Sequence, residues 1–198
     1  LMFGGDGVVR RPGEDPDFGF LLDVWEICWE GGQYRWKPIT PINPADAPIQ
    51  RITPIIYDPL GKRWVIVGGE SQAFGMPFDD VFFLEPTADR SSWSWYPVSP
   101  LPNNFNARRS HFLFWDPRLA GFSCGSGAVQ PIGSGEQRLL WTYRSGQWSA
   151  STIPSDLIFR EDFDADFDQA RQQLVLWGGD SIGASAPENG NVWFLTKT

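Results

Sequence analysis

The residues best suited to chemistry lie in one acidic stretch, residues 162–168, where every second residue is Asp. Side chains at positions i and i+2 of a strand lie on the same face, about 7 Å apart. Asp162, Asp164 and Asp166 are therefore candidate ligands of a cation, or an acid/base pair of a central site. The alternative interpretation is that these carboxylates face solvent or pair with neighbouring arginines.

Few other residues offer catalytic or metal chemistry. His111 is the single histidine, whereas zinc sites use several His or Cys ligands and a Ser-His-Asp triad would have to use this one residue. We expect a structural role for it. The two cysteines, Cys28 and Cys124, lack the regular even pattern of a disulfide framework, so we expect buried free thiols. No cofactor is predicted.

The composition is that of a β protein with many turns and excludes some partners. Gly and Pro contribute 21 and 17 of the 198 residues, and Trp and Phe contribute 11 and 15, which indicates many short strands joined by turns. The net charge of −8 argues against nucleic acid, whose binders concentrate Lys and Arg. No apolar run approaches the roughly 20 residues that a membrane-spanning helix needs, so we predict no membrane span.

The elements that position these residues come from an internal repeat. An aromatic residue followed by Asp precedes a predicted turn at Tyr57-Asp58, Trp115-Asp116 and Phe167-Asp168. A small pair begins ten residues after each Asp, at Gly68-Gly69, Ser126-Gly127 and Gly178-Gly179, and Gly4-Gly5 ends a half-copy at the start of the sequence. A period of about 50 to 60 residues is typical of propellers and solenoids.

Two further strands follow each small pair. The third strand opens at Asp23-Val24, Asp80-Val81, Leu139-Leu140 and Asn191-Val192, and the fourth is marked by Trp36, Trp95 and Trp148. We therefore predict antiparallel meanders with three strands in residues 1 to 42, four in 51 to 101, four in 109 to 153 and three in 161 to 196. The late Trp is expected to cover the gap between neighbouring units with a large apolar area.

Together with Arg109-Ser110-His111 at the entry to a first strand, these features resemble kelch repeats. The form Trp115-Asp116-Pro117-Arg118 is similar to bacterial kelch-type, galactose-oxidase-like propeller proteins. The resemblance covers nearly the whole chain and implies an all-β propeller of four-stranded antiparallel blades, with each first strand innermost. The copper chemistry of galactose oxidase is not supported, because the chain has only one His.

The resemblance also implies the domain organisation. Residues 1–198 form one propeller domain or part of one, with repeats at about 1–42, 51–101, 109–153 and 161–198. Four repeats could close as a four-bladed ring, but the first repeat lacks its inner strand and the last lacks its outer one. Further residues, in this chain or another, are therefore expected to complete a ring of six or seven blades. Ser126, in place of Gly, and Glu161-Asp162-Phe163, in place of Arg-Ser-His, predict irregular turns in the third and fourth repeats.

The long connections are expected to meet on one rim of the propeller. Exposed Phe and Met beside Arg suit binding of a protein partner. The candidate residues are Arg10, Arg11, Phe74, Met76, Phe78, Asn104, Phe105 and Arg108. The alternative is that these aromatic residues fold back and hold their own loops.

Two functions remain open from the sequence. The first is a non-enzymatic interaction module, a rigid scaffold that presents loops to a protein partner in a larger protein or assembly. The alternative is a carbohydrate-active or cation-binding propeller with an acidic central site.

Overall fold

A computed structural model of the chain describes residues 1–4, 6–9, 17–20, 23–49, 51–71, 76–89, 91–130, 138–153, 160–181 and 192–195. These residues form β-strands and a single 3-10 helix, Pro44–Asp46, so the all-β class is confirmed. Within them, no helix is long and apolar enough to cross a bilayer. Both cysteines are free, and Cys124 is buried whereas Cys28 is partly exposed.

The strands are numbered in chain order. They are β1 (Met2–Phe3), β2 (Asp6–Val9), β3 (Asp17–Phe20), β4 (Val24–Glu30), β5 (Gln33–Ile39), β6 (Ile55–Asp58), β7 (Arg63–Val67), β8 (Glu70–Ser71), β9 (Met76–Pro77), β10 (Val81–Pro86), β11 (Trp93–Pro97), β12 (Arg108–Arg109), β13 (Phe112–Asp116), β14 (Gly121–Gly125), β15 (Ala128–Val129), β16 (Leu139–Arg144), β17 (Gln147–Thr152), β18 (Arg160–Asp168), β19 (Gln173–Ser181) and β20 (Val192–Leu195).

Four antiparallel sheets follow one another along the chain. Sheet 1 has the order β1-β4-β5, sheet 2 β6-β7-β10-β11, sheet 3 β13-β14-β16-β17 and sheet 4 β18-β19-β20. Their strand numbers of three, four, four and three are those that the repeat predicted. Three short pairs, β2 with β3, β8 with β9 and β12 with β15, lie in the connections. The described residues do not close these sheets into a ring.

The sheets pack face to face, each against the next. Sheets 1 and 2 share a buried cluster of Phe3, Val24, Ile66, Leu84 and Trp95. The ring of Phe3 meets that of Trp95 edge-on, with centroids 5.2 Å apart. Sheet 1 thus contributes the pair Phe3 and Val24 to this interface, and sheet 2 contributes its late Trp, Trp95.

Two more clusters continue the stack. The cluster between sheets 2 and 3 contains Val65, Val67, Val81, Phe83, Phe105, Leu113, Phe122, Cys124 and Trp141. The cluster between sheets 3 and 4 contains Phe112, Phe114, Ile153, Ala165, Leu174 and Leu176. Because successive residues of a strand point to opposite faces, sheets 2 and 3 are covered on both sides, which explains why their inner strands are almost continuously apolar.

The small pair of each repeat supplies a backbone turn with positive φ. Gly4, Gly68 and Gly178 have φ values of +62°, +52° and +76°, and Ser126 has +56°. Ser126 therefore keeps the conformation of the glycines that it replaces. At Gly68 only glycine fits, since a Cβ would lie 2.7 Å from the Arg108 carbonyl oxygen.

Candidate functional site

An open cavity of about 690 Å³ lies where the first strands of sheets 2, 3 and 4 come together. Its apolar wall is formed by residues 54–56 and by Leu113. Its polar wall contains Ser110 and His111 together with carboxylates of β18. The acidic stretch therefore lines an open cavity, and its role as the central site of a propeller stays a prediction.

The three predicted carboxylates all line this cavity. Asp164 and Asp166 alternate with the buried Ala165 and are exposed, so they share one face of β18. Their Oδ1 atoms accept hydrogen bonds from the backbone N–H groups of the next residues, at 2.8 and 2.7 Å. Among the described residues neither carboxylate forms an ion pair, and both side chains are exposed to solvent.

The backbone of Asp162 differs in conformation from that of Asp164 and Asp166. It has a φ of +56° and is skipped in the pairing of β18 with β19, where Glu161 pairs with Asp180 and Phe163 with Gly178. Its backbone N–H donates to the Ser110 carbonyl at 3.1 Å, which ties sheet 4 to the entry of sheet 3. The register of β18 with β19 is the same on both sides of Asp162, and Ser110, the equivalent residue of the third repeat, has a φ of +51°. The fourth repeat therefore keeps the backbone conformation of the third at this position, and the predicted irregularity is not seen there.

His111 forms part of the cavity wall and is almost completely buried. Neither ring nitrogen has a well-formed hydrogen bond. Burial and then the positive charge of Arg108 lower the pKa of His111 to about 3, with the Val67 carbonyl opposing. The imidazole is therefore neutral at neutral pH and contributes shape and a polar edge, rather than positive charge, to the wall.

The Asp that opens each turn is structural. Asp58 accepts hydrogen bonds at Oδ1 from the N–H groups of Leu60 and Gly61, both at 3.0 Å. Asp116 accepts from the Arg118 backbone at 2.9 Å and from its guanidinium at 2.7 Å. Burial alone would raise the pKa of Asp116, but the hydrogen bonds and charge of Arg118 hold it below its usual value.

Asp168 has the same role in the fourth repeat. Its Oδ1 accepts hydrogen bonds from the N–H groups of Ala170 and Arg171, and its Oδ2 accepts one from the Arg171 guanidinium at 2.8 Å. The guanidinium bond, followed by the backbone bond of the same residue, lowers the pKa of Asp168. Arg171 thus pairs with the turn Asp and not with Asp164 or Asp166.

The described residues contain no group of three or more His, Cys, Asp and Glu side chains arranged to hold one metal ion. The cation site at Asp162, Asp164 and Asp166 therefore stays a prediction. The geometry provides an open acidic cavity with a neutral imidazole in its wall.

The predicted partner-binding rim divides into exposed and buried members. Met76 and Asn104 are exposed, Phe78 is half-buried, and Phe105 and Arg108 are buried. Arg10, Arg11 and Phe74 lie outside the described residues. Phe105 and Arg108 fold back into the protein, as the second interpretation of this rim proposed. Binding of a partner at the rim stays a prediction.

Packing explains the burial of Phe105 and Arg108. The Phe105 ring lies 5.7 Å from Trp141 and 5.1 Å from Trp148, between sheets 2 and 3. The Arg108 guanidinium stands 4.8 Å from the Phe105 ring centroid. The Arg108 backbone donates to Phe78 at 3.0 Å and accepts from Gly69 at 2.8 Å. This segment therefore joins two neighbouring loops.

The sequence reasoning missed a buried arginine, Arg51, in the segment that precedes sheet 2. Arg51 is fully buried, donates to the Gly68 carbonyl at 2.8 Å and makes a two-point ion pair with Asp80, one bond of which measures 2.9 Å. Its guanidinium lies 3.9 Å from the ring centroid of Phe78. Arg51 stands seven residues before Asp58, as Arg109 stands seven before Asp116, so the repeat contained the signal.

The largest apolar surface that the sequence reasoning missed is the outer face of sheet 1. The registers of β1, β4 and β5 place alternate residues of these strands on one face. We call it the sheet 1 end face, and it comprises Met2, Trp25, Ile27, Trp29, Tyr34, Trp36 and Pro38. Trp29 and Tyr34 are 63% and 70% exposed, and alternation of apolar residues in β4 could have revealed the face.

Within the described residues, a second partly apolar face lies on the outer side of sheet 4. The registers of β18, β19 and β20 align the exposed carboxylates with apolar residues of the next two strands. We call it the sheet 4 end face, and it comprises Asp164, Asp166, Val175, Trp177, Val192 and Phe194. Trp177, Val192 and Phe194 are all exposed.

No protein-family model and no curated protein matches this chain.

Proposed function

We propose that this chain is a non-enzymatic interaction module, built as a run of four kelch-type propeller blades, that binds a protein partner. The observation that carries the proposal is the sheet 1 end face. Isolated exposed apolar residues are common, but a contiguous exposed apolar patch is typical of an interaction site. Trp and Tyr are also the residues that contribute most to binding at protein interfaces.

The kelch assignment is supported by the recurrence of one structural unit. In each of three repeats an Asp closes the first turn through backbone hydrogen bonds. In all four, the pair of small residues begins with a residue of positive φ. Consecutive four-stranded units that stack through their faces are the construction principle of propellers.

Photo-crosslinking tests the interaction module. A photoreactive phenylalanine analogue replaces Trp36 in one protein and Leu60 in a control, where Leu60 is exposed in the turn between β6 and β7. We expect one discrete protein adduct at position 36 and none at position 60. The unlabelled wild-type chain should suppress the adduct, whereas a Trp29→Ser/Trp36→Ser chain should not. Equal labelling at both positions, or none at either, would refute the proposal.

The acidic cavity favours a second candidate function, binding of a cation or a carbohydrate at a central site. The specific observation is that Asp164 and Asp166 are exposed in a cavity that also contains the buried, neutral His111. Carboxylates and an uncharged imidazole can accept hydrogen bonds from sugar hydroxyl groups, and carboxylates alone can bind Ca²⁺.

Calorimetric titration separates this candidate from the first. Ca²⁺ and a neutral oligosaccharide are titrated into the wild type and into Asp164→Asn/Asp166→Asn. Heat of binding that is present in the wild type and absent in the variant supports the central site. A wild type that binds neither ligand, or a variant that binds as well, removes it.

A further inference from the structure

The chain itself covers the outer edge of sheet 2. The backbone N–H of Ile42 donates to the Trp93 carbonyl at 2.9 Å. The Asn43 side chain bonds both backbone groups of Trp95, accepting from its N–H at 2.8 Å and donating to its carbonyl at 2.7 Å. β11 ends at Pro97, which has no N–H to offer. Since an exposed edge strand can pair with another chain, this segment and this Pro close the edge.

β17 has in sheet 3 the place that β11 has in sheet 2. In both sheets one row of cross-strand neighbours starts at the aromatic residue that precedes the turn Asp. The rows are Tyr57, Trp64, Leu84 and Trp95 in sheet 2, and Trp115, Phe122, Tyr143 and Trp148 in sheet 3. Trp148 is therefore the equivalent of Trp95, and Ala150 is the equivalent of Pro97.

The protection found at β11 is missing at β17. Sheets 1 and 2 have Pro38 and Pro97 two residues after the late Trp, whereas sheet 3 has Ala150 there. In the linker that precedes β17, counted from the late Trp of the sheet before, Pro102 takes the place of Asn43 and has no amide side chain. β17 contains no Pro and no charged residue, which are the residues that usually block an edge.

The outer backbone groups of β17 point away from β16. The N–H of Ile153, which follows β17, donates to the Arg138 carbonyl at 2.8 Å on the β16 side. Because the backbone groups of successive residues point to opposite sides of a strand, those of Trp148, Ala150 and Thr152 point outward. Ala150 and Thr152 are exposed, and among the described residues β17 pairs with β16 alone.

The open edge is a property of sheet 3 and its linker. Sheet 3 has all four strands and packs against a neighbouring sheet on each face. The exposure of β17 therefore does not depend on a missing neighbour, and its cause is the replacement of Asn43 and Pro97 by Pro102 and Ala150 in the equivalent positions.

An open cavity of about 380 Å³ lies against this edge. Residues 98–102 of the linker form one side of it, and Tyr143 and residues 146–148 form the other. Within these described residues the linker makes no hydrogen bond to β17, unlike Ile42 and Asn43 at β11. The linker side is mostly apolar, with one Val, one Leu and two Pro. The cavity therefore has room for an apolar side chain of a ligand beside an open strand edge.

We propose that the edge of β17 binds an extended segment of a partner protein in which an apolar residue is followed by Asn. The Asn amide bonds the N–H and C=O of Trp148, as Asn43 bonds Trp95, and the apolar residue enters the cavity. The occupant follows from sheet 2, where the equivalent edge holds such a segment, Ile42-Asn43. Addition of an extended peptide to a sheet edge is a recurrent mode of recognition.

This surface is separate from the sheet 1 end face. The inference rests on the proposed function in one respect, that the ligand is a protein, and it names the chemistry of the segment that is bound. The adduct expected at position 36 tests the sheet 1 end face, whereas the experiments below test β17.

A titration of the isotope-labelled intact chain with a synthetic peptide, followed by nuclear magnetic resonance, tests the proposal. The probe has the sequence of residues 40–46, Thr-Pro-Ile-Asn-Pro-Ala-Asp, with blocked ends. We expect saturable shifts of the amide signals of Leu101, Gly146 and Trp148, with a Kd below about 1 mM. A peptide with Ala in place of its Asn should bind at least about tenfold more weakly, because two hydrogen bonds are lost. No shift at these residues, or equal affinity of the two peptides, would refute the proposal.

Pro102→Asn tests the equivalence of the two edges. The variant supplies an Asn from the chain's own linker at the position of Asn43, so it should compete with the peptide and weaken its binding at least about tenfold. An unchanged affinity would contradict the equivalence on which the choice of ligand rests.

Ala150→Pro separates recognition by Asn from addition of a full strand. The variant restores the Pro of sheets 1 and 2 at a position whose N–H points outward, so the pairing of β17 with β16 is kept. The peptide bonds Trp148 and should bind this variant within about threefold of the wild type. Loss of binding would mean that the ligand pairs along the whole strand and that recognition by Asn is wrong.

The same experiments identify other occupants. Peptide-induced shifts at Trp93 and Trp95 in place of Trp148 would mean that the peptide displaces the chain's own linker, which would overturn the proposal. So would a mass of twice 22.3 kDa by light scattering that Ala150→Pro halves, because a second copy of β17 would then occupy the edge. Circular dichroism and thermal unfolding of both variants should match those of the wild type.

Failure of this inference and failure of the proposed function give different results. If the peptide does not bind but a discrete protein adduct forms at position 36, the interaction module stands and the β17 site is wrong. If the peptide binds at Trp148 and no adduct forms at position 36, the β17 site stands and the sheet 1 end face is wrong.

Discussion

Trp36 and Trp95 occupy the same place in two successive repeats, yet Trp36 is half exposed and Trp95 is 2% exposed. Both lie on a fourth strand, and both project from the face that precedes their sheet. Trp95 meets Phe3 of the sheet before it, whereas the described residues place no sheet in front of Trp36. The comparison teaches that the neighbour, and not the residue type or the strand, decides whether a repeated side chain belongs to a core or to the exposed surface.

The largest expected effect comes from truncating the two tryptophans. Trp95→Ala should reduce the free energy of unfolding by about 3 to 5 kcal/mol, because it leaves a cavity in a packed interface. Trp36→Ala should change it by less than about 1 kcal/mol, as surface substitutions do. The measurement is urea unfolding at a dilution where the chain is monomeric. Equal losses in the two variants would mean that Trp36 is buried within the monomer.

Two glycines extend the comparison of covered and uncovered positions from side chains to the backbone. A Cβ on Gly127 would lie 2.4 Å from the Arg109 carbonyl oxygen, whereas a Cβ on Gly31, in the exposed turn between β4 and β5, would meet nothing within 4 Å. Both have positive φ. We expect Gly127→Ala to destabilise by about 3 kcal/mol and Gly31→Ala by about 1 kcal/mol, measured by thermal unfolding. Similar losses would show that left-handed strain alone, and not the neighbouring strand, sets the cost.

The pH dependence of the free energy of unfolding tests the burial of His111. Its pKa of about 3 in the folded chain lies below the ordinary 6.5, so the unfolded chain binds more protons between these values. Stability should therefore be fully present above pH 6.5 and fall as the pH decreases through this window, by about 2 kcal/mol between pH 6.5 and 5. Denaturant unfolding at both pH values measures it, and His111→Leu should remove most of the slope. The chain has no other His, so an unchanged slope in the variant would contradict the burial of a neutral imidazole.

The smallest expected effect distinguishes the two turn aspartates. Asp116 is buried beside Arg118, and Asp168 is bound by an Arg171 side chain that is 71% exposed. Since the folded pKa of Asp116 is depressed, its contribution is present above pH 3.8 and is lost as the pH falls through the folded value. Asp116→Asn should destabilise by about 1 kcal/mol at pH 7 and by less at pH 3, and Asp168→Asn by a smaller amount at pH 7. Unfolding curves at both pH values test this, and a larger effect at position 168 would reverse the expected order.

Much of the local structure could be predicted from the sequence because its causes are local. The spacing from Asp58 to Gly68 and from Asp116 to Ser126 reflects a hairpin whose turn is closed by the Asp carboxylate and whose second strand ends in a positive-φ turn. These contacts span a few residues, so composition and spacing reveal them. The number of strands in each sheet followed for the same reason, since meander strands pair with sequence neighbours.

The candidate sites depended on contacts between residues far apart in the chain, which a sequence pattern does not reveal. Phe105 and Arg108 have the composition of a binding patch, but they are buried, because Phe105 packs on Trp141 and Trp148, more than 30 residues away in the chain. The acidic stretch was recognised from its alternation, and its position beside His111 in one cavity required the first strands of sheets 3 and 4 to be brought together.

The sequence by itself determined the repeat, the strand order within each sheet and the alternation that gives every sheet two apolar faces. Only the tertiary structure decided which of those faces are covered, because burial depends on the sheet stacked against a face and not on the face itself. Trp95 therefore belongs to the core and Trp36 to the surface, although the sequence presents them as equivalents.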